Sequence, residues 1–250
     1  MKLKSSVKIL SIILTGLLMA DQASAAIALD RTRVIFDGAS KSMSLNISNE
    51  NKELPYLAQG WIENEKGDKI ESPLMVLPPL QRVEPGTKSQ LKVQATYAAT
   101  KLPQDRESLF YFNLREIPPR SSTPNTLQIA LQTRIKLFYR PKSLQATQDD
   151  YSNPWQNKIT MTRSGDRYDI VNPTPYYVTI AGASSNEKGK DISGFEPTMI
   201  PPKSSKQMKG NASLLGNSPV ITYINDFGGR PKLLFKCIGH ECQVRSNLPG

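Results

Sequence analysis

"NTLQIALQTRIKLFYRP", residues 125–141, places Leu127, Ile129, Leu131, Thr133, Ile135, Leu137 and Tyr139 on one side of an extended chain. Gln128, Ala130, Gln132, Arg134, Lys136, Phe138 and Arg140 fall on the other side. A period of two is that of a β-strand. The run is also longer than the usual ~5 to 6 residues. Either a large sheet buries the whole apolar row, or part of the row is offered to something outside this chain.

Upstream of this run, short β-rich segments recur between turn residues. Strands are expected near Leu29–Phe36, Ser42–Ile47, Tyr56–Glu63, Leu74–Leu77, Ser89–Ala95, Leu109–Glu116 and Thr126–Tyr139. Seven strands with turns at "NENKELP", "EPGTKS" and "PPRSSTPNT" suit an immunoglobulin-like sandwich. Trp61 reads as a core aromatic, with ligand stacking as the alternative. The pattern lapses at "PKSLQATQDDYSNPW", residues 141–155, which is the expected linker. A second set of strands is expected near Lys158–Arg163, Arg167–Val171, Tyr176–Ile180, Pro219–Ile224, Leu233–Cys237 and Gln243–Arg245. Neither half carries a long helical pattern. The chain therefore reads as all-β, with one domain over 26–145 and a second over 146–250.

The first 25 residues carry Lys2, Lys4 and Lys8, an apolar stretch from Ile9 to Ala20, and Ala23-Ser24-Ala25. A charged end, a short apolar middle and an A-x-A site describe a cleaved secretory signal, with an uncleaved anchor as the alternative. Cleavage removes three lysines and Asp21, leaving 225 residues with a formal charge of +8. A basic exported chain favours an acidic partner, an anionic surface or a carboxylate-bearing ligand. Scattered basic residues and the export signal argue against nucleic acid. No later segment is apolar for long enough to insert in a membrane as a helix.

Cys237 and Cys242, in "FKCIGHEC", read as a disulfide in an oxidising compartment. So small a ring is worth roughly 2 kcal/mol, a local staple. A metal site that includes His240 is the sharper alternative, but it lacks the four ligands, or three and a water, that zinc takes. Catalysis finds no support: His240 is the only histidine, oxidised cysteines are not nucleophiles, and no phosphate-binding loop occurs. The chain reads as a binding protein without enzymatic activity or cofactor. Arg33 and Lys136, each among apolar neighbours, are either snorkelling surface cations or a site for a carboxylate.

"LPQDRESLFYFNLREIPP", residues 102–119, together with "LDRTRVIFDG", "PYLAQGWIEN", "QIALQTRIKLFYRP", "NPTPYYVT" and "YINDFGGRP", resembles the periplasmic pilus-assembly chaperones of the chaperone-usher pathway. The resemblance covers nearly all of the mature chain. It implies two immunoglobulin-like sandwich domains set at an angle, with a subunit-binding cleft between them. Position by position, it implies that Arg33 and Lys136 grip the C-terminal carboxylate of a pilus subunit. It implies that Leu127, Ile129 and Leu131 are donated to that subunit's incomplete fold, and that Glu107, Arg140 and Asp226 form a charged network between the domains. Cys237 and Cys242 match the second-domain disulfide. Leu77 and Lys92 depart from the Thr and Arg that relatives tend to have. The implied partners are pilins, the tip adhesin and the outer-membrane usher, with self-association when the protein is free.

The alternatives are a pilus or adhesin subunit of sandwich fold, and an exported carbohydrate-binding or hydrolytic sandwich. On the leading reading, Ile135, Leu137 and Tyr139 serve the protein's own core. Strict alternation then sets Lys136 on the face opposite the donated residues, so the strand must twist or bulge between Leu131 and Lys136, or the partner must wrap its edge.

Overall fold

The computed structural model describes residues 25–250, so the expected signal segment lies, except for its last residue, outside the described residues. The first domain is built from two stacked sheets. One runs β1 (Ile27–Leu29), β3 (Ser42–Asn49), β8 (Lys88–Ala95), β6 (Leu74–Leu77). The other runs β2 (Arg33–Asp37), β10 (Gln132–Arg140), β9 (Ser108–Ile117), β4 (Tyr56–Glu63), β5 (Lys69–Ile70), with β7 (Leu80–Val83) also on β4. Leu45, Ile47, Leu91, Val93 and Leu74 of the first sheet meet Ala58, Ile62, Phe112, Leu114 and Leu137 of the second in one buried cluster. Glycine at position 60 leaves room for the facing sheet, because a Cβ there would sit 2.8 Å from Val76 Cγ1.

The apolar row of the opening stretch divides as expected. Leu137 and Tyr139 belong to the core, Ile135 packs against it, and Leu127, Ile129 and Leu131 are exposed. The strand is shorter than its alternation suggests: it begins at Gln132, and residues 126–131 carry no ladder. Its ladder begins at the pair Gln132–Arg115, and the last two residues of β9, Glu116 and Ile117, are laddered with β4 alone. The β9–β10 ladder keeps its register from Gln132 to Tyr139, so there is no bulge between Gln132 and Lys136.

The expected strand Leu29–Phe36 is two strands in different sheets: β1 pairs with β3, and β2 pairs in parallel with β10. The crossing falls at Asp30–Thr32, where the Asp30 carboxylate takes both Arg31 Nε (2.7 Å) and Asn46 Nδ2 (2.8 Å). Trp61 is buried but lies outside the core cluster. Alternation along β4 sends Ala58, Gly60 and Ile62 inward and Trp61 to the outer face, where the Arg115 guanidinium covers its ring at 5.1 Å. Leu77 and Lys92 stand opposite each other in the β6–β8 pair, on the sheet that does not carry β10.

The connection from Pro141 contains a short helix, α1 (Gln148–Ser152), whose start is closed by a Thr147–Asp150 capping box. The second domain is one eight-stranded sheet: β14 (Thr198–Ile200), β13 (Val178–Ser184), β16 (Val220–Ile224), β17 (Lys232–Ile238), β18 (Glu241–Leu248), β11 (Thr160–Ser164), β12 (Arg167–Asn172), β15 (Ser204–Met208). It curls on itself, bringing β14 against β12 and β15 around a second core that includes Ile180, Tyr223, Leu233 and Phe235. Cys237 and Cys242 are bonded directly across the β17–β18 hairpin.

Candidate functional site

The outer face of the β10 sheet positions the charged residues. In the parallel β2–β10 ladder Lys136 stands opposite Arg33, and in the neighbouring ladders Tyr111 stands opposite Lys136 and Glu63 opposite Tyr111. Arg33, Lys136, Tyr111 and Glu63 therefore form a row across four strands. Arg134, on the same face of β10, bonds Glu63 Oε2 at 2.7 Å and lies 3.5 Å over the Tyr111 ring. Tyr111 and Glu63 were not evident from sequence, because cross-strand register, not spacing along the chain, brings them beside Lys136.

Arg33 is only 9% exposed. Its Nη1 donates to the Ile224 carbonyl of the second domain at 3.0 Å, and its Nε is buried without a partner. Burial lowers the Arg33 pKa, with Asp226 and Glu107 offsetting part of that. Burial also lowers the pKa of Lys136, and the adjacent Arg33 charge lowers it further. Among the described residues neither cation has a carboxylate within ion-pair distance. Two like charges side by side without a carboxylate partner are a candidate site for an anion.

Leu127, Ile129 and Leu131 are 84%, 65% and 43% exposed. Beside them lies an open lane. β2 covers its side of β10 only from Lys136 onward, so Gln132–Ile135 have β9 on one edge and no strand of the described chain on the other. A strand added there continues the line of β2, and if it runs parallel to β10 its C-terminus stops where β2 begins, at Arg33. Within β10 Lys136 points to the face opposite Ile135 and Leu137, and the exposed apolar residues lie before the strand begins.

Glu107, Arg140 and Asp226 come together at the junction. Arg140 Nη2 lies 2.8 Å from Glu107 Oε1, and its Nη1 lies 2.8 Å from Asp226 Oδ2. Glu107 Oε2 accepts from Tyr177 N–H at 2.8 Å. The Arg140 guanidinium also sits about 5 Å from the stacked rings of Trp155 and Tyr176. Burial pushes the Glu107 carboxyl above its ordinary range, while Arg140 and the Tyr177 N–H pull it back. Burial also works against the Arg140 charge, yet Glu107 and Asp226 together raise its pKa. Tyr177, unremarked in the sequence, adds a second link: its ring packs on Phe138 at 5.4 Å and its hydroxyl donates to Glu65 at 2.7 Å.

Residues 26–145 match the family described as pili and flagellar-assembly chaperone, PapD N-terminal domain, and residues 154–235 match the pili assembly chaperone PapD, C-terminal domain. The chain is 53% identical to chaperone protein PapD of Escherichia coli, over 89% of this chain and 91% of that protein. It is also 53% identical to the probable fimbrial chaperone YfcS of Escherichia coli K12, over 89% and 87% respectively. Among solved structures, the periplasmic chaperone SfaE superposes with a TM-score of 0.66 at 31% identity, covering 83% of this chain and 98% of that one. A chain from the Salmonella enterica SafA pilin–SafB chaperone complex superposes with a TM-score of 0.68 at 26% identity, covering 89% and 98%.

Proposed function

We propose, for a chain that belongs to the pilus-assembly chaperone family through both of its domains, that it holds a pilus subunit at two points. Residues 125–139 supply the subunit's missing strand, with Leu127, Ile129 and Leu131 filling its apolar groove. Arg33 and Lys136 grip its terminal carboxylate. The observation that carries this reading is the Arg33–Lys136 pair at the closed end of the open lane, neither cation having a carboxylate within ion-pair distance among the described residues.

The energetics fit a reversible hold. An unpaired edge beside an apolar groove is an aggregation hazard, and main-chain pairing removes it. Burying three aliphatic side chains at ~1.5 to 3 kcal/mol each contributes a gross ~5 to 9 kcal/mol before ordering costs. A better-fitting strand from the next subunit then displaces the chaperone without nucleotide.

Glu107, Arg140 and Asp226 set the relation between the domains, whose boundary we place between Gln145 and Ala146. Delivery to an outer-membrane usher, and export to the periplasm by cleavage of the first 25 residues, complete the proposal. The likeness to the periplasmic chaperone SfaE supports the periplasmic location. Among the described residues no helix is long and apolar enough to cross a membrane.

Co-expression with a pilus subunit tests the reading. A one-to-one soluble complex is expected, and extending the subunit's C-terminus by several residues should abolish it. Equal recovery of the extended subunit would overturn the carboxylate anchor.

A further inference from the structure

We infer that the cavity beside Arg33 is a subsite for the last side chain of the docked subunit, and that it selects a large apolar or aromatic residue there. The inference rests on the carboxylate reading above. The cavity, open to solvent, measures about 330 Å³ and is lined by Arg31, Thr32, Arg33, Ile35, Tyr151 and Phe227 together with Arg140 and Asp226. A strand added in the lane ahead of β2 would end at Arg33, and Arg33 also lines this cavity.

Tyr151, from α1, and Phe227, from the turn after β16, are 44% and 79% exposed, and their ring centroids lie 5.5 Å apart. Two large rings from separate segments meet at the rim in water. The backbone turn that carries Phe227 is closed by a side chain. Asn225 Oδ1 accepts from both Phe227 N–H (3.1 Å) and Gly229 N–H (2.8 Å), which closes the turn. Gly228 has φ +86°, and a Cβ there would fall 2.6 Å from Thr32 Oγ1, so glycine lets the turn seat against the first domain.

Charge within the cavity narrows the ligand class. Arg140 is neutralised by Glu107 and Asp226, and Arg31 is clipped to Asp30. Among the described residues Arg33 alone of these cations has no carboxylate within ion-pair distance. One available cation beside an aromatic rim suits one negative charge next to one apolar side chain, which is the chemistry of a polypeptide C-terminus.

Synthetic twelve-residue peptides with alternating apolar residues test this, ending in Phe carboxylate, Ala carboxylate or Phe amide, with affinity read by fluorescence anisotropy. The Phe acid is expected to bind about tenfold more tightly than the Ala acid. Phe227→Ala, an exposed position, should keep its circular dichroism and unfolding midpoint while reducing that preference to about twofold or less. Tyr151→Ala should reduce it in the same direction. If the two acids bind wild type equally, or if Phe227→Ala keeps the full preference, the subsite is overturned while the carboxylate anchor stands. If the Phe acid and Phe amide bind equally, the anchor itself fails and the subsite falls with it.

Discussion

Lys136 stands directly opposite Arg33 in the parallel ladder of β2 and β10, and among the described residues neither has a carboxylate within ion-pair distance. Holding two cations side by side is costly, and a ligand carboxylate relieves that cost through charge-assisted hydrogen bonds of about 1.5–3 kcal/mol each. Lys136→Ala and Arg33→Ala are each expected to abolish co-purification of a pilus subunit while the free protein stays folded. Lys136→Ala is the cleaner of the two, because Arg33 also bonds the Ile224 carbonyl. Full subunit recovery with either variant would remove the assignment.

The same pair sets a pH dependence. Burial and Arg33 hold the Lys136 pKa below its ordinary 10.5, and a bound carboxylate favours the ammonium and raises it. Affinity is then complete while free-state Lys136 is charged. It falls as pH climbs through the depressed free-state value, and goes on falling up to the bound-state value. The decline begins at a lower pH than an ordinary lysine gives. Lys136→Arg, whose charge persists, should bind acid peptide with a flat profile over the range in which wild type declines. Parallel profiles for the two proteins would refute this.

Ile129→Glu is expected to block subunit capture by placing a charge in an apolar groove. Ile129 is exposed, so the free protein's stability should change by no more than about 0.5 kcal/mol. Pull-down of subunit together with urea unfolding measures both, and undiminished capture would sink strand donation for this protein.

Arg140→Ala strands two carboxylates at the junction, one of them fully inside the protein. Removing one partner of a buried ion pair costs about 3–5 kcal/mol. The urea midpoint should fall accordingly. Small-angle scattering should show a broader range of interdomain arrangements, since the Arg140–Asp226 contact joins the two domains. A midpoint within error of wild type would show that the network contributes little.

The sequence made some of this legible and hid the rest for identifiable reasons. Alternation in residues 127–139 marked which side chains share a face, and it separated Leu137 and Tyr139 from the exposed trio. It did not mark where the strand begins, because a ladder depends on a neighbouring strand and β9 pairs with β10 only from Arg115 inward. Apolar residues on both sides of Asp30–Thr32 made two strands look like one, since a change of sheet leaves the local pattern intact. β14 and β15 were missed because "TMI" and "SSKQM" are short and carry little alternation. Arg33 and Lys136 came from family resemblance. Tyr111, Glu63 and Phe227 required the register and the turn geometry, which no spacing along the chain encodes.

The start of β2 in line with the open lane gives the protein a gauge. For a partner docked as proposed, Arg33 is a fixed stop, and the distance from that stop to the pockets for Leu127, Ile129 and Leu131 is set by the chaperone's own backbone. Side-chain direction reverses with each residue, so a subunit chain one residue too long or too short turns its apolar face away from the groove. On that docking a truncated or read-through subunit would be refused at capture, and the length of a strand would check chain completeness.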